Sequence, residues 1–284
     1  MLRNKVESRI IRFINIMTKK ERGYLTELYY FALSFFVYGF LGWCTEVAYA
    51  AAKQGKFVNR GFLNGPICPV YGIGVGVVVQ FLTPVENNLV LLYISSTILV
   101  TVIEGITGFL LEKIFHNKWW DYSEQPLNIG GYVCVLFSLI WGVFCVLIVK
   151  IIHPLIYKVL TMIPLVLGIV VMACLAVGLL ADLYVTASGI LKMNRRLEAM
   201  EKIAAELKEL SDKVGENIYE NVMEGMEFRE EKKARIEELK AKYEEMAENR
   251  TKVGERLVKA FPKMQVGQHK EIFEELRERI KRSK

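Results

Sequence analysis

The sequence predicts an all-α protein: a polytopic transmembrane helical bundle of about five membrane segments with a charged helical C-terminal extension. The chain has 284 residues, of which 52% are hydrophobic and 24% are charged, and its mean hydropathy is +0.26. The charges are segregated, because Gly23–Lys192 holds 8 Lys+Arg and 8 Asp+Glu, whereas Met193–Lys284 holds 22 and 21. This pattern excludes a water-soluble globular enzyme and a disordered chain.

The charge pattern divides the chain into three predicted regions. Residues 1–22 form a basic amphipathic N-terminal segment, which we expect to lie on a negatively charged membrane face. Residues 23–192 form the transmembrane domain, and residues 193–284 form a charged cytoplasmic helical tail. The five cysteines are scattered through apolar segments without a CxxC pair, so we expect buried free thiols.

Four apolar segments are long enough to cross about 30 Å of hydrocarbon. They are Leu25–Ala51, Leu89–Phe115, Ile129–Ile152 and Leu160–Leu191. A fifth segment, Pro66–Leu82, is shorter and begins with two prolines, so it is either a short span or a re-entrant segment. Five full spans put the chain termini on opposite faces, whereas a re-entrant segment puts both on one face. The distribution of basic residues favours the re-entrant version, and we expect a cytoplasmic tail.

Acidic residues within the predicted spans are candidates for function, because a charge there costs at least about 2.5–3.5 kcal/mol. Glu104 lies in the middle of its span, and Glu112 follows about 80° around the helix, so both can face one cavity. Glu46 lies late in the first span and Asp182 in the last. We interpret Glu112 and Asp182 as near-interface groups, and we expect Glu104 to face a cavity or to pair with Arg60 or Lys113.

Small residues at a spacing of four indicate close helix contacts. Gly72 and Gly76 lie within one apolar segment, and Ser138 and Gly142 are spaced alike in another. The glycine run at residues 72–76 lacks the GxxxxGK[ST] pattern and follows no predicted soluble strand. We therefore interpret it as helix packing rather than as a nucleotide-binding loop.

Two loops are richer in polar and backbone-bending residues than ordinary connectors. Non-helical backbone near membrane depth persists only where protein or a water-filled cavity satisfies it. With five full spans both loops lie on one face and can form a polar vestibule in which Arg60 pairs with Asp121, whereas with a re-entrant second segment they would not meet. The aromatic residues of the second loop also fit an interfacial belt. The candidate pathway and vestibule residues, taken from both loops and the spans, are Glu46, Asn59, Arg60, Asn64, Cys68, Tyr71, Glu104, Glu112, Trp119, Trp120, Asp121 and Tyr122.

Four stretches of the sequence resemble the bacterial Putative ABC-transporter type IV permease family. They read FLGWCTE, FVNRGFLNGPICPVYGIG, GFLLEKIFHNKWWDYSEQPLNIGGYVCVLFSLIWG and LVKAFPKMQ. The resemblance covers Phe40–Gly142 and, more weakly, Leu257–Gln265. It implies a multi-pass protein of the bacterial plasma membrane, with motif residues here at Asn59, Arg60, Gly61, Pro66, Cys68, Pro69, Tyr71, Trp119, Trp120, Asp121 and Tyr122. Tyr132 departs from the family pattern, in which a basic residue is common.

The tail has apolar residues at a spacing of three and four, from Leu197 to Ile218 and again from Ile236 to Met246. Fewer than three uninterrupted heptads are present, so the alternatives are a coiled coil and an amphipathic helix that docks on the membrane domain or on a partner. Pro262 is expected to end a helix before a last charged segment. The mixed charges argue against nucleic-acid binding.

Three functions are compatible with these features. The first is a permease-like membrane subunit that moves an unidentified small solute. Because the chain has no Walker A sequence, ATP hydrolysis, if the system uses it, must come from a separate ATPase subunit. The second is a membrane scaffold whose tail recruits a cytoplasmic protein or self-associates. The third is a membrane-embedded enzyme acting on a lipid-linked or peptide substrate, although the chain has no HExxH or GxSxG motif. We predict a permease-like subunit in the lipid bilayer, with no catalytic residue, metal site or cofactor.

Overall fold

The computed structural model describes residues 19–220, 225–267 and 269–282, and the side chains of residues 23–213, 230–267 and 269–282. The predicted N-terminal amphipathic segment lies outside the described residues. The chain divides into two units. The membrane unit comprises the described residues of Met1–Leu110 and Asp121–Tyr184, and the tail unit comprises those of Leu111–Trp120 and Val185–Lys284. The domain boundaries drawn from the charge pattern remain predictions.

Most of the described residues are helical, and four two-residue strands lie in the connections between helices. In chain order the helices are α1 (Lys19–Gln54), α2 (Pro69–Leu82), α3 (Leu89–Phe115), α4 (Val135–Leu147), α5 (His153–Leu160), α6 (Leu165–Glu220), α7 (Gly225–Glu248), α8 (Lys252–Ala260) and α9 (Lys270–Arg282). A π-helical segment, Ile148–Ile152, joins α4 to α5, and a 3₁₀ turn, Thr83–Val85, follows α2. The strands are β1 (Asn117–Lys118), β2 (Asn128–Ile129), β3 (Val133–Cys134) and β4 (Gln265–Val266).

The predicted fold class is confirmed. Within the described residues, four helices are long and apolar enough to cross a membrane, at Gly23–Gln54, Leu89–Phe115, Val135–Leu160 and Leu165–Lys213. A shorter apolar helix at Pro69–Val85 accompanies them. The chain is therefore a membrane protein built as a helical bundle.

Two predicted span boundaries are wrong. Ile129 does not begin a helix, because Asn128 pairs with Cys134 and Ile129 with Val133 in a β2–β3 hairpin. Gly130 and Gly131 reverse the chain there with positive φ angles of 61° and 75°, a conformation that glycine adopts at little cost. Hydropathy cannot distinguish this apolar hairpin from the start of a helix.

The second boundary error concerns the last span, predicted to begin at Leu160. Instead α5 ends at Leu160, a turn occupies residues 161–164, and α6 begins at Leu165. Pro164 lies directly before α6, and a proline cannot donate the backbone hydrogen bond that would continue α5 through the turn.

The short helix α2 packs antiparallel against α1 through glycines. A Cβ at Gly72 would lie 2.5 Å from the backbone oxygen of Phe35, and one at Gly76 would lie 2.8 Å from the Phe31 ring. The backbones of α1 and α2 approach closely because these positions carry no side chain. The prediction that this glycine run packs helices is confirmed.

The helix α2 also runs antiparallel to α3, and it therefore joins opposite ends of the membrane unit. Leu82 and Leu92 share one buried cluster with Val78, whereas Gly74 of α2 faces Ile103, eleven residues further along α3. This geometry favours a short span over a re-entrant segment. The loops that follow α1 and α3 consequently lie at the same end of the membrane unit, which we call the loop end.

The tail unit has its own buried core. Its fully buried side chains come from α6, α8, α9 and the segment before β4, and include Leu197, Met200, Leu257, Met264 and Phe273. The N-terminus of α8 is capped by Thr251, whose side chain accepts a hydrogen bond from the backbone N–H of Gly254. As Pro262 predicts, this helix ends at Ala260. A coiled coil stays a prediction.

Two distant segments meet in the tail unit. The strand β1 pairs with β4, with Asn117 opposite Val266 and Lys118 opposite Gln265. Next to this pair, the buried ring of Trp119 lies 5.3 Å from the Phe261 ring in an edge-to-face arrangement. The motif around residues 117–119 thus packs on the LVKAFPKMQ motif, more than 140 residues later in the sequence.

Candidate functional site

The first loop, residues 55–68, is folded around the side chain of Asn59. Its Oδ1 accepts hydrogen bonds from Trp43 Nε1 at 2.8 Å and from the backbone N–H of Gly61 at 3.1 Å. Its Nδ2 donates to the backbone oxygen of Asn64 at 2.7 Å. Asn59 therefore attaches the loop to α1 and closes the turn that follows. This contact explains why an amide is needed between two apolar helices.

Asp182 of α6 anchors the far end of the same loop. Its Oδ1 accepts from the backbone N–H of Asn64 at 3.1 Å and from Asn64 Nδ2 at 2.8 Å. Its Oδ2 accepts from the backbone N–H of Gly65 at 2.6 Å. Asp182 thus satisfies two backbone donors of a loop that begins a membrane helix. The interpretation of Asp182 as a near-interface group misses this role.

We expect Asp182→Ala to destabilise the membrane unit. Three hydrogen bonds to a carboxylate disappear and two backbone N–H groups lose their acceptor, which we expect to cost about 2–3 kcal/mol. The thermal unfolding midpoint of the detergent-solubilised protein should fall by about 5 °C. The control is Glu124→Ala, which removes an exposed carboxylate and should leave the midpoint unchanged. Equal midpoints for Asp182→Ala and the wild type would contradict the anchoring role.

Glu46, Arg60 and Tyr71 form a polar cluster at the loop end. The Tyr71 hydroxyl donates to Glu46 Oε1 at 2.7 Å, and Arg60 Nε lies 3.2 Å from Glu46 Oε2, an ion-pair distance. The Arg60 guanidinium also lies over the Tyr49 ring, 4.6 Å from its centroid. Each charge within this cluster therefore has a partner.

The expected pair of Arg60 and Asp121 is wrong. Arg60 takes Glu46 as its partner, because the first loop returns along α1. Asp121 is instead engaged within its own loop, where its Oδ1 accepts from the backbone N–H of Ser123 at 3.0 Å and from Ser123 Oγ at 2.5 Å. This local turn is one that aspartate forms readily.

A double-mutant cycle on Glu46 and Arg60 should reveal coupling. The side chains are 25% and 28% exposed, so we expect a coupling free energy of about 1 kcal/mol between Glu46→Ala and Arg60→Ala. Unfolding midpoints of the four proteins in detergent measure it. The cycle between Arg60→Ala and Asp121→Ala serves as control and should be additive. A coupling free energy of similar size between Arg60→Ala and Asp121→Ala would contradict the structure and support an ion pair between Arg60 and Asp121.

Glu104 of α3 and Tyr122 of the second loop form a second polar contact. The Tyr122 hydroxyl donates to Glu104 Oε1 at 3.3 Å, and the Tyr122 ring stacks on Phe137 with 5.0 Å between centroids. Burial and then the negative charge of Glu104 raise the pKa of Tyr122 above its ordinary value. Tyr122 therefore stays protonated and acts as a donor. The charge of Glu46 also acts on Tyr122, so the two acids share one neighbourhood.

Glu104 has only this one hydrogen bond within the described part of the chain. Its Oε2 is buried and has no hydrogen-bond partner there. The partner of Glu104 is the hydroxyl of Tyr122 rather than the expected basic side chain. The second carboxylate oxygen therefore has no hydrogen bond within the described residues. A buried polar atom of this kind is one that an ion, a water molecule or a ligand can satisfy.

Three of the predicted site residues belong to the tail unit. Glu112 Oε2 lies 3.9 Å from Lys118 Nζ. The ring of Trp119 packs on that of Phe261, and Trp120 is half-buried. Glu104 and Glu112, expected on one side of α3, therefore have separate partners in separate units.

Cys68 has a structural place. It is buried, lies directly before α2, and its backbone N–H donates to the oxygen of Gly39 at 2.9 Å. All five cysteines are free thiols as predicted, but Cys44 is half-buried and Cys174 is exposed, so the expected burial holds for the other three. Among the residues that the structure describes, no group of three His, Cys, Asp or Glu side chains could hold a metal ion.

A comparison with protein families decides the family of this chain. The family model described as Putative ABC-transporter type IV matches residues 33–187, more than half of the chain. The chain belongs to this family. The matched residues include every candidate from Glu46 to Tyr122, and Asp182 as well. No curated protein and no solved structure matches the chain. Membership and the apolar helices make it a membrane protein related to transport.

Sequence reasoning missed several residues of this type IV family member. Asp182 and Trp43 each hold the first loop, and Trp141 lies with its ring 5.8 Å from that of Tyr71. Trp43 lies within the FLGWCTE string, so its motif was a usable signal. Asp182 could have been found as an acid within a span, but its partners are 117 and 118 residues away.

Proposed function

We propose that this chain is the permease-like, membrane-spanning subunit of a transport system, and that its solute contacts Glu104 and Tyr122. The observation that carries the proposal is the Glu104 carboxylate, which lies among apolar helices with one buried oxygen that lacks a hydrogen-bond partner within the described residues. An ionisable residue at membrane depth is costly and usually belongs to a substrate or ion pathway.

The chemistry of the site favours a solute that carries a positive charge or a hydrogen-bond donor. Glu104 Oε2 is an acceptor, and Tyr122 supplies a hydroxyl that can donate or accept. The neighbouring Arg60 is already paired with Glu46, so the net charge near Tyr122 is set by Glu104. A proton, a small cation or an amine fits these groups.

Energy from ATP would have to come from a second protein. The sequence contains no GxxxxGK[ST] pattern, and family membership favours an ATPase partner. The partner is tested by affinity purification of the full-length chain from its native membrane under mild detergent. Recovery of a protein with ATPase activity supports the transport role, and recovery of the chain with no ATPase contradicts an ATP-driven mechanism.

The solute site is tested directly on the purified chain. Sodium, potassium, ammonium and arginine, each as the chloride salt, are added singly to the detergent-solubilised protein, and the unfolding midpoint is recorded. We expect at least one probe to raise the midpoint of the wild type but not that of Glu104→Gln, because bound ligand stabilises the folded state. Identical responses of the two proteins to all four probes would contradict a cation site at Glu104.

A second candidate function is supported by the tail unit. Its own buried core, with Phe273 and Leu257 fully enclosed, is typical of a folded module that can hold a partner. Deleting residues 204–284 is a poor test of partner binding, because it also deletes β4, the pairing partner of β1, and Phe261, the packing partner of Trp119. Charge reversal of Lys233 and Lys240, exposed on α7, is preferable. Loss of a co-purifying protein with these variants would favour the scaffold role.

We expect the tail to be cytoplasmic and the turn after α2 to face the opposite side. In a cysteine-free background, Lys240→Cys and Lys263→Cys should resist an impermeant maleimide in intact cells, whereas Asn87→Cys should react. Lys53→Cys, which lies beside the first loop, is the control. Like the two tail positions, it should resist the impermeant maleimide. Reaction of Lys240→Cys from outside would reverse the orientation, and equal reaction of Asn87→Cys and Lys53→Cys would show that α2 does not cross.

A further inference from the structure

A cavity with a mainly apolar lining lies in the membrane unit, at the end opposite the loops. It has a volume of about 120 Å³ and is a half-open cleft between α1, α2 and α5. A water molecule occupies about 30 Å³ in the liquid, so the cavity has room for a larger group. None of the residues from Glu46 to Tyr122 in the candidate site lines it. Its function is therefore separate from that of Glu104.

Aromatic rings form a continuous wall of this cavity. The rings of Tyr30 and Tyr157 have centroids 5.1 Å apart, those of Tyr157 and His153 are 5.8 Å apart, and those of His153 and Tyr38 are 6.2 Å apart. The Tyr38 hydroxyl and His153 Nδ1 form a hydrogen bond of 2.9 Å, which fixes the two rings. Phe31 adds a further ring. A belt of interfacial tyrosines would not require rings from different helices to converge on one space.

A π-helical segment interrupts the helix that forms part of this wall, between α4 and α5. The π-helical segment Ile148–Ile152 ends directly before His153, and Pro154 follows. Such single π turns within helices are frequently found at functional sites, and the extra residue in the turn shifts the register of the side chains that follow. Here the shifted side chains are His153 and Tyr157, which both line the cavity.

The charge at the cavity is negative. Among the described residues that line it, Glu27 is the one acidic or basic side chain apart from His153, and no Lys or Arg is present. The negative charge of Glu86 also acts on His153. The lining also holds the neutral oxygens of Thr26, Ser34 and Gln80. One carboxylate among several aromatic rings suits a large organic cation better than a hard metal ion, which favours carboxylate-rich oxygen cages.

We propose that this cavity binds an alkylammonium group, held by the ring faces of Tyr30, Tyr38 and Tyr157 and by the carboxylate of Glu27. The face of an aromatic ring carries partial negative charge, and a methylated ammonium gains both cation–π attraction and apolar burial there. The group is either the headgroup of a lipid or a soluble amine, since both present the same chemistry. The proposal does not depend on the transport role of Glu104.

The test is choline binding by the full-length protein in phosphatidylglycerol nanodiscs, measured by isothermal titration calorimetry. We expect choline to bind at least about tenfold more tightly than its uncharged carbon analogue 3,3-dimethylbutan-1-ol. Tyr157→Leu should weaken choline binding by about tenfold, whereas Tyr157→Phe, which keeps the ring, should change it by less than about twofold. Tyr184→Leu, which replaces an exposed tyrosine outside the cavity, is the matched control.

A second variant keeps the test informative should Tyr157→Leu misfold. Glu27 is exposed and has no ion pair within the described residues, so Glu27→Gln should fold normally and weaken choline binding by roughly threefold. Repeating the titration in phosphatidylcholine nanodiscs identifies the source. Loss of free choline binding there assigns the cavity to the lipid headgroup, and unchanged binding assigns it to a soluble amine.

Three results would overturn the proposal. The first is the absence of choline binding in phosphatidylglycerol nanodiscs. The second is equal affinity for choline and its uncharged analogue, which would show a merely apolar cavity. The third is wild-type choline affinity in both Glu27→Gln and a folded Tyr157→Leu, which would place the bound choline elsewhere.

Discussion

Glu104→Gln is expected to abolish function while the protein remains folded in the membrane. Glutamine has the same shape as glutamate and can still accept a hydrogen bond from Tyr122, which the structure places 3.3 Å from Oε1. We therefore expect a change in unfolding free energy within about 1 kcal/mol. What disappears is the negative charge and the ability to bind a proton or a cation. A carboxylate that only completes a hydrogen bond would tolerate the change.

The measurement is complementation in a strain that lacks the chain, under the condition in which the deletion impairs growth, with protein level checked by immunoblot. Glu112→Gln is the matched control, because Glu112 is a carboxylate on the same helix whose neighbour is Lys118 at 3.9 Å. We expect this variant to have a mild effect. Full complementation by Glu104→Gln at the wild-type protein level would leave the transport proposal without its main residue and would favour the scaffold role.

Trp119→Ala is expected to unfold much of the tail unit. Trp119 is 4% exposed and packs against Phe261, next to the pairing of β1 with β4. Replacing a buried tryptophan by alanine costs about 3–5 kcal/mol, which is a large part of the stability of a small unit. Limited proteolysis of the full-length protein in detergent should show rapid cleavage at sites within the tail unit, while the membrane unit stays intact.

Two further variants separate packing from other effects of Trp119. Trp119→Phe keeps an aromatic ring and should retain most of the protease resistance. Phe261→Ala removes the other partner of the contact, so its effect and that of Trp119→Ala should be less than additive. Wild-type resistance in Trp119→Ala would show that this contact does not hold the tail unit together.

The sequence predicted the helices of the membrane unit well, because their signal is local. A run of about 20 apolar residues is enough to identify a span, and the four long segments and the short one at Pro69 all occur as helices. The close packing at Gly72 and Gly76 was also predictable, since it depends on small residues within one helix. The motif strings identified the family, and the family model confirms it.

Errors arose where a local signal has two outcomes. The apolar residues Ile129 and Val133 fit a span by hydropathy, but the glycines between them form a hairpin. Arg60 and Asp121 suggested a pair because they are charged residues in neighbouring loops. Arg60 instead meets Glu46, because the side chain of Asn59 folds the first loop back onto α1. Loop conformation depends on such contacts, and spacing alone does not fix them.

The sequence by itself determined the spans, the family and the presence of costly acids at membrane depth. These properties follow from composition within windows of about 20 residues. Only the tertiary structure decided which groups contact those acids: Tyr71 and Arg60 for Glu46, the first loop for Asp182, and Tyr122 for one oxygen of Glu104. It also brought β1 to β4. The reason is that a buried polar group must find its partner in three dimensions, and the partner that the packed helices bring within about 3 Å is set by their register.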